Sequence, residues 1–242
     1  MNDIDIYQNK EQALFLTGQA GKIEAILQGS EQPRIINQSL QIAIILHPHP
    51  LHEGTMHNKV VYTLARACKE MDIPVLRYNF RGVGQSEGSH DHGIGETTDL
   101  LHIMQQLEHT YPKITFWLAG FSFGSFVAYQ AFIESNKNHG TNHKHHIRHL
   151  CLVGPPVERY AYPLISLPQD TDLALLQGSK DEIVNPETNY QWFAQLQKQQ
   201  LEKKQLQLIK LDTGHFFHGK LIELKESYIS LMQAGLNHNE QS

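Results

Sequence analysis

The chain has only two cysteines in 242 residues, Cys68 and Cys151. That excludes a disulfide framework, and each lies in an apolar or helical pattern that suits a small buried thiol. A reducing cytoplasm is the expected home. No apolar run reaches the ~18 residues of a membrane span. Met1-Asn2-Asp3-Ile4-Asp5 lacks the basic and apolar regions of a secretion signal. Positive charge is not in surplus: 20 Lys and Arg stand against 25 Asp and Glu, a formal net charge of −5. No basic field would draw the chain to nucleic acid or to an anionic membrane. There is no internal repeat and no linker long enough to divide the chain, so residues 1–242 are expected to form one domain.

Histidine is abundant, with 16 in all and five between His139 and His149. The polar stretch 136–149 reads as a solvated surface loop, with adventitious or regulatory metal binding as its sharper alternative. Residues 237–242 read as a frayed tail.

Between these segments, short apolar runs alternate with longer amphipathic ones. Ala13–Thr17 and Lys22–Leu27 predict a hairpin. Gln41–Leu46, "QIAIIL", is apolar nearly throughout, as a strand buried on both faces requires. Helical spacing follows over Asn58–Glu70, a strand over Pro74–Phe80, a helix over Thr97–His109 and a strand over Ile114–Ala119. Further on come helix Phe123–Glu134, strands Leu150–Val153 and Leu173–Gln177, helix Pro186–Lys198, strand Gln205–Leu211 and a last helix from about Gly219 to Ala234. Strands and helices alternating at these lengths predict an α/β fold: a mostly parallel, doubly wound sheet with helices on both faces.

At one strand-to-helix junction the sequence reads Gly120-Phe121-Ser122-Phe123-Gly124. A serine between two glycines at the sharpest bend of such a unit is poorly explained by packing. Gly-x-Ser-x-Gly in this position lifts the hydroxyl clear of the sheet, and the helix that follows aims its first N–H groups at the place where an oxyanion would form. Ser122 is therefore a candidate nucleophile.

A serine hydroxyl needs a base, and the base needs an orienting acid. Leu173–Gln177 runs into Gly178-Ser179-Lys180-Asp181-Glu182, and Gln205–Leu211 runs into Asp212-Thr213-Gly214-His215. The order Ser122, Asp181, His215 is that of a nucleophile-elbow enzyme. Glu182 is the alternative to Asp181. Asp172 precedes its strand and would lie at the far end of the sheet, and Asp212 is too near His215 in sequence to orient it. His218, His90 and His92 are the rival bases.

Four blocks carry a more specific resemblance: "HPHPLHEGTMHNKVV" (His47–Val61), "LRYNFRGVGQSEG" (Leu76–Gly88), "AGFSFGS" (Ala119–Ser125) and "GSKDEIV…TGHFF" (Gly178–Phe217). In their order and content they resemble the α/β-hydrolase superfamily, in particular a small bacterial branch with a His-Pro-His-Pro segment and almost no cap. The resemblance implies a single α/β-hydrolase domain acting as a serine hydrolase through an acyl-enzyme. The expected substrates are small acyl esters or thioesters; a peptidase, an acyltransferase or a non-catalytic scaffold binding a small ligand or a partner protein are the alternatives. It implies an oxyanion hole made by the N–H groups of Phe123 and Leu51, since Pro50 has no N–H to give. Glu53-Gly54 stands where similar sequences often carry paired glycines. Arg81 and its neighbouring glycines shape the turn after the strand that precedes them, with Ser86 and Glu87 near the mouth of the site.

Phe121 and Phe216 flank the catalytic candidates and are expected either to line an acyl pocket or to pack in the core. Pro50 and His52 are expected to border the substrate. His47 and His49 are read as loop imidazoles bonded to backbone rather than metal ligands, since no acid or third histidine stands at ligand spacing. The chemistry calls for no cofactor. The interval from Gly154 to Asp172 is short and holds Pro155, Pro156, Pro163 and Pro168, so no helical cap is expected over Ser122.

Overall fold

A computed structural model describes residues 4–137, 145–200 and 206–237. Its strands are β1 (Glu11–Gly18), β2 (Gly21–Gln28), β3 (Ile35–Ile36), β4 (Ser39–Leu46), β5 (Val75–Tyr78), β6 (Ile114–Phe121), β7 (Ile147–Val153), β8 (Asp172–Gly178) and β9 (Leu206–Leu211). Its helices are α1 (Lys59–Glu70), α2 (Ile94–Thr110), α3 (Phe123–Asn136), α4 (Pro186–Gln199) and α5 (Leu221–Asn237). The sheet runs in the order β1-β2-β5-β4-β6-β7-β8-β9, with the two-residue β3 paired to β4. From β5 to β9 every neighbouring pair is parallel. The N-terminal hairpin joins this sheet through an antiparallel β2–β5 pairing.

The central strands are apolar throughout because both faces are covered, and alternate residues go to opposite sides. In β4, Ile42, Ile44 and Leu46 join one core with Leu100 and Ile103 of α2 and Phe132 of α3. Ala43 and Ile45 join the other, with Val61 and Leu64 of α1 and Tyr228 of α5. On this second face Ala43, Ala119, Cys151 and Ala174 stand on four adjacent strands, and their small side chains let α1 and α5 lie close to the sheet. Both cysteines are buried and unpaired. No described helix is long and apolar enough to cross a membrane.

The helix starts are marked by side chains. Asn58 Oδ1 accepts the N–H of Val60 at 2.9 Å, and Asn185 Oδ1 accepts that of Glu187 at 3.0 Å, with Pro186 in the first helical position. Each satisfies a donor that the helix itself leaves open. At α2 the buried Glu96 carboxylate accepts the N–H groups of Asp91 and Gly93.

The sequence and the structure part over the histidine-rich stretch. β7 begins at Ile147, so Arg148 and His149 belong to a strand rather than a surface loop, and both are buried. The polar pair hides the strand start because its partners come from elsewhere. Arg148 Nη2 donates to Gly235 O at 3.2 Å, and the His149 ring lies 5.0 Å from Trp117. Residues 138–144, which include His139 and His143, and tail residues 238–242 lie outside the described residues.

The segment from Gly154 to Thr171 contains no helix. It lies as a strap on α3 and α4. Tyr129 Oη donates to Pro163 O at 2.5 Å, Trp192 Nε1 to Tyr162 O at 2.9 Å and Gln200 Nε2 to Ile165 O at 2.6 Å. The prolines remove N–H donors and fix φ, and the strap draws its hydrogen bonds from the helices beneath it.

Candidate active site

Ser122 sits between β6 and α3 with φ 53° and ψ −118°, a conformation that costs a non-glycine residue on the order of 1–3 kcal/mol. The turn around it leaves no space for side chains at the flanking glycines. A Cβ on Gly120 would lie 2.2 Å from Gly124 O, and one on Gly124 would lie 2.5 Å from Leu46 O. Hydrogen bonds hold the bend: Ser122 N donates to Val153 O at 2.8 Å, while Ser122 O accepts the Ser125 N–H at 2.9 Å. Phe123 is the first residue of α3, so its N–H is one of the donors a helix leaves unpaired at its start.

The candidate acid and the candidate base meet at the ends of the next strands. Asp181 follows β8 and His215 follows β9, and His215 Nδ1 lies 2.8 Å from Asp181 Oδ2. An ionised carboxylate only accepts, so Nδ1 carries the proton and Nε2 is left as the acceptor. The other carboxylate oxygen, Oδ1, accepts the N–H groups of Ile183 and Val184, each at 2.9 Å. Gln177 Nε2 adds a donor to Oδ2 at 3.0 Å, and Asn189 Nδ2 fixes Gln177 through its Oε1 at 2.7 Å. Burial pushes the Asp181 carboxyl up, but the bonds from His215, Val184 and Ile183 outweigh it and hold the group below the usual carboxylate range.

The imidazole is 2% exposed. The Phe121 ring lies 4.9 Å from it, tilted by 35°, and Phe216 meets it edge-on at 5.2 Å. The competing groups are engaged elsewhere. Glu182 Oε2 accepts the backbone N–H of His215 at 3.3 Å, Asp212 pairs with Lys180 at the surface, and Asp172 stands at the opposite end of β8. His218 stacks on Phe216, and His90 pairs with Glu96.

Ser122 and His215 open onto one cleft of ≈ 420 Å³. His52 and Phe216 border it. Phe121 and Pro50 do not. Phe121 closes β6 with 0% exposure, and its ring supports the imidazole from within the core. Pro50 opens a short 3-10 turn, and Pro48 lines the cleft in its place. Ser86 and Glu87 are also away from the mouth. Ser86 Oγ donates to Asn79 O, and Glu87 accepts the Lys22 N–H, so both brace the hairpin. Arg81 holds its turn through Asp99 at 2.7 Å.

The loop after β4 is tied down by its histidines. His47 is fully buried. Its Nδ1 donates to Pro48 O at 2.6 Å and its Nε2 accepts the Phe80 N–H at 2.9 Å, linking the loops after β4 and β5. Burial holds its pKa down at about 3, so it stays neutral. His49 borders the cleft, and its Nδ1 accepts the Leu51 N–H at 3.2 Å. This engages the donor that the resemblance assigns to the oxyanion. Desolvation, with the nearby His90 and His52, lowers the His49 pKa to about 4, so this acceptor survives at neutral pH. Glu53 has φ 59°, the left-handed region that favours glycine, which explains the paired glycines of similar sequences. Among the described residues no group of three or more His, Cys, Asp or Glu is placed to hold a metal ion.

Sequence reasoning missed Gln177, which bonds to Asp181, Asn189, which fixes Gln177, and Gly154, which faces the imidazole. A signal existed for Gln177: it is the one polar side chain in the run "LALLQ" of a buried strand, and a buried amide must find partners. Asn189 and Gly154 gave none.

The family model of the alpha/beta hydrolase fold matches residues 51–217. An uncharacterized protein of Rickettsia prowazekii, RP471, is 31% identical over 233 residues, covering 93% of this chain and 92% of its own length. Among solved structures, XC6422 of Xanthomonas campestris, an a/b serine hydrolase without lid, is 34% identical with a TM-score of 0.76, covering 97% of each chain. An alpha-beta serine hydrolase homologue from Coxiella burnetii is 33% identical with a TM-score of 0.74, covering 90% of this chain and 96% of its own. A family match across most of the chain, a parallel sheet of this order and the absence of a helical cap among the described residues agree, and the chain belongs to the α/β-hydrolase superfamily, among its uncapped members.

Proposed function

We propose that this protein is a serine hydrolase of small acyl esters or thioesters, with Ser122 as nucleophile, His215 as base and Asp181 as the acid that orients it. The observation that carries the reading is the 2.8 Å bond from the buried Asp181 to Nδ1 of His215, which lines the same cleft as the strained Ser122. That bond leaves His215 Nε2 free to take the proton as Ser122 Oγ attacks the carbonyl carbon. The bond from the carbonyl carbon to the leaving oxygen or sulfur then breaks, and the imidazolium returns its proton to the leaving group. Water repeats the sequence on the acyl-enzyme, releasing the acid and restoring Ser122. Asp181 stays ionised and stabilises the imidazolium, helped by the Gln177–Asn189 relay.

The Phe123 N–H receives the oxyanion. The Leu51 N–H is the second donor, exchanging its bond to His49 Nδ1 for one to the oxyanion. The transition state carries a full charge where His49 offers a neutral acceptor, so the exchange favours the transition state over the ground state. The hydrolase names of the relatives support the reading.

The test is hydrolysis of p-nitrophenyl butyrate by the wild type and by Ser122→Ala. A small side chain fits the same elbow, so the variant should fold and lose activity by several orders of magnitude. Wild-type turnover in a folded Ser122→Ala protein would end the proposal.

A further inference from the structure

The cleft beside Ser122 has a charge asymmetry that ester hydrolysis does not need. Its lining includes no Asp or Glu, and its one permanent charge is the guanidinium of Arg159. The carboxylates nearest in sequence to the cleft residues are occupied: Asp181 by His215 and two backbone N–H groups, Glu182 by the His215 N–H, and Glu158 by the Thr188 hydroxyl at 2.6 Å. No carboxylate lies within ion-pair distance of Arg159 among the described residues. The remaining polar lining, His49, His52, Asn58 and Tyr160 beside Ser122 and His215, adds no carboxylate.

Arg159 is an exposed side chain, held at the cleft by its backbone turn and one hydrogen bond. The backbone turn that carries it is closed by Arg159 N donating to Pro156 O at 3.0 Å and Tyr160 N donating to the same oxygen at 3.2 Å. The next side chain, Tyr160, stacks on Phe126 with ring centres 4.5 Å apart and planes at 24°. Arg159 Nη2 donates to Ile183 O at 3.0 Å. Ile183 is the residue whose own N–H donates to Asp181, so the guanidinium is anchored to the acid loop. One donor of five is used, and the planar fork keeps the others for a ligand. A neutral ester would leave this exposed cation to water. A carboxylate would meet it in the bidentate geometry that guanidinium favours.

We infer that Arg159 is a specificity-determining residue and that the substrate is an ester or thioester bearing a carboxylate, which Arg159 binds while Ser122 attacks the acyl carbon. The inference rests on the hydrolase reading for the attack, but the recognition of a carboxylate can be tested apart from it.

The experiment compares kcat/KM for three esters: p-nitrophenyl butyrate, the p-nitrophenyl monoester of glutaric acid, which carries the carboxylate on the acyl side, and the butyryl ester of 3-carboxy-4-nitrophenol, which carries it on the leaving side. Each protein is scored by its anionic-to-neutral ratio, so differences in active fraction cancel. The wild type should favour at least one anionic ester. Arg159→Gln should lower that ratio roughly ten- to a hundredfold, the range of a charge-assisted hydrogen bond, and Arg159→Glu should lower it further. Added salt should shrink the wild-type ratio, because the partners meet in an open cleft. The anionic ester that responds tells which side of the scissile bond faces Arg159. A wild type that prefers neither anionic ester, or a preference that survives Arg159→Gln, overturns the inference. Calorimetric titration with glutarate gives a second reading that needs no turnover. Binding that is lost in Arg159→Gln supports the site even in a protein that cleaves no ester, and undiminished or absent binding counts against it.

Discussion

Gly154 lies so close to His215 that a Cβ added to it would stand 3.2 Å from the imidazole Cε1 and 3.4 Å from Nδ1. Gly154 follows β7 and holds φ 54°, so two constraints fall on one residue: a left-handed backbone and a ring against its face. Gly154→Ala should cost about 1–2 kcal/mol of stability from the backbone alone, read as a fall in Tm of roughly 2–8 °C. It should also displace the imidazole, with a loss in kcat/KM on the order of 10²-fold. Wild-type kinetics in this variant would show that the imidazole has room to move.

Asp181→Asn tests the acid by a different route. Ile183 and Val184 both donate to Oδ1, so the amide oxygen of asparagine must stay there. Its NH2 then faces His215 Nδ1 and the Gln177 amide, two groups that now donate. The imidazole must take the other tautomer, which removes the acceptor from Nε2, and the loss should be on the order of 10⁴-fold in kcat. Glu182→Gln keeps an acceptor for the His215 N–H and should cost only a few-fold. The reverse ranking in esterase assays would move the acid to Glu182.

Stability should depend on pH through two buried histidines. Burial lowers His47 and His149 to about 3 each, against about 6.5 for an unfolded histidine. Between these values the unfolded chain binds more protons than the native one. The stability of the neutral rings is therefore fully present above pH ~6.5 and is lost as pH falls towards ~3, at about 1.4 kcal/mol per pH unit for each group. The ring nitrogens of His149 make no hydrogen bond among the described residues, so His149→Leu should fold and remove one group's share of the slope. Urea unfolding of both proteins at pH 7.5 and pH 5 checks this. Equal slopes would mean that His149 is already protonated, or hydrated, in the native state.

Chain length should matter little beyond a few carbons. The strap from Gly154 to Thr171 forms no cap, and the cleft is open to solvent. Extra methylenes then remain wet and add less than the ~0.8 kcal/mol each that full burial gives. Across p-nitrophenyl esters from C2 to C16, below their micelle thresholds, kcat/KM should peak at roughly C2 to C6. A continuous tenfold rise towards C12–C16 would reveal a deep acyl tunnel.

The parts of this molecule that announced themselves in sequence are those whose residues answer to a local rule. Ile42, Ile44 and Ile45 belong to a strand buried on both sides, and the run "QIAIIL" reads as one. Gly120 and Gly124 are forced by backbone atoms within a few residues or on the adjoining strand, and the Gly-x-Ser-x-Gly spacing records it. Long-range partnerships left weaker traces. Arg148 and His149 read as loop because the groups that bury them lie on β6 and α5. Phe121 reads as either pocket or core, and only the approach of the loop after β9 to the end of β6 makes it a support for His215. The resemblance assigns the Leu51 N–H to the oxyanion; that His49 Nδ1 accepts it depends on a ring orientation that sequence does not encode.

The most direct test is to label the protein with a fluorophosphonate and map the adduct by mass spectrometry. The reagent captures a serine only where a base and an oxyanion hole act on it together. The account predicts one adduct per chain, on Ser122, at a rate that falls sharply in His215→Ala and in Asp181→Asn. Labelling on another residue, or none in a folded protein, would contradict it.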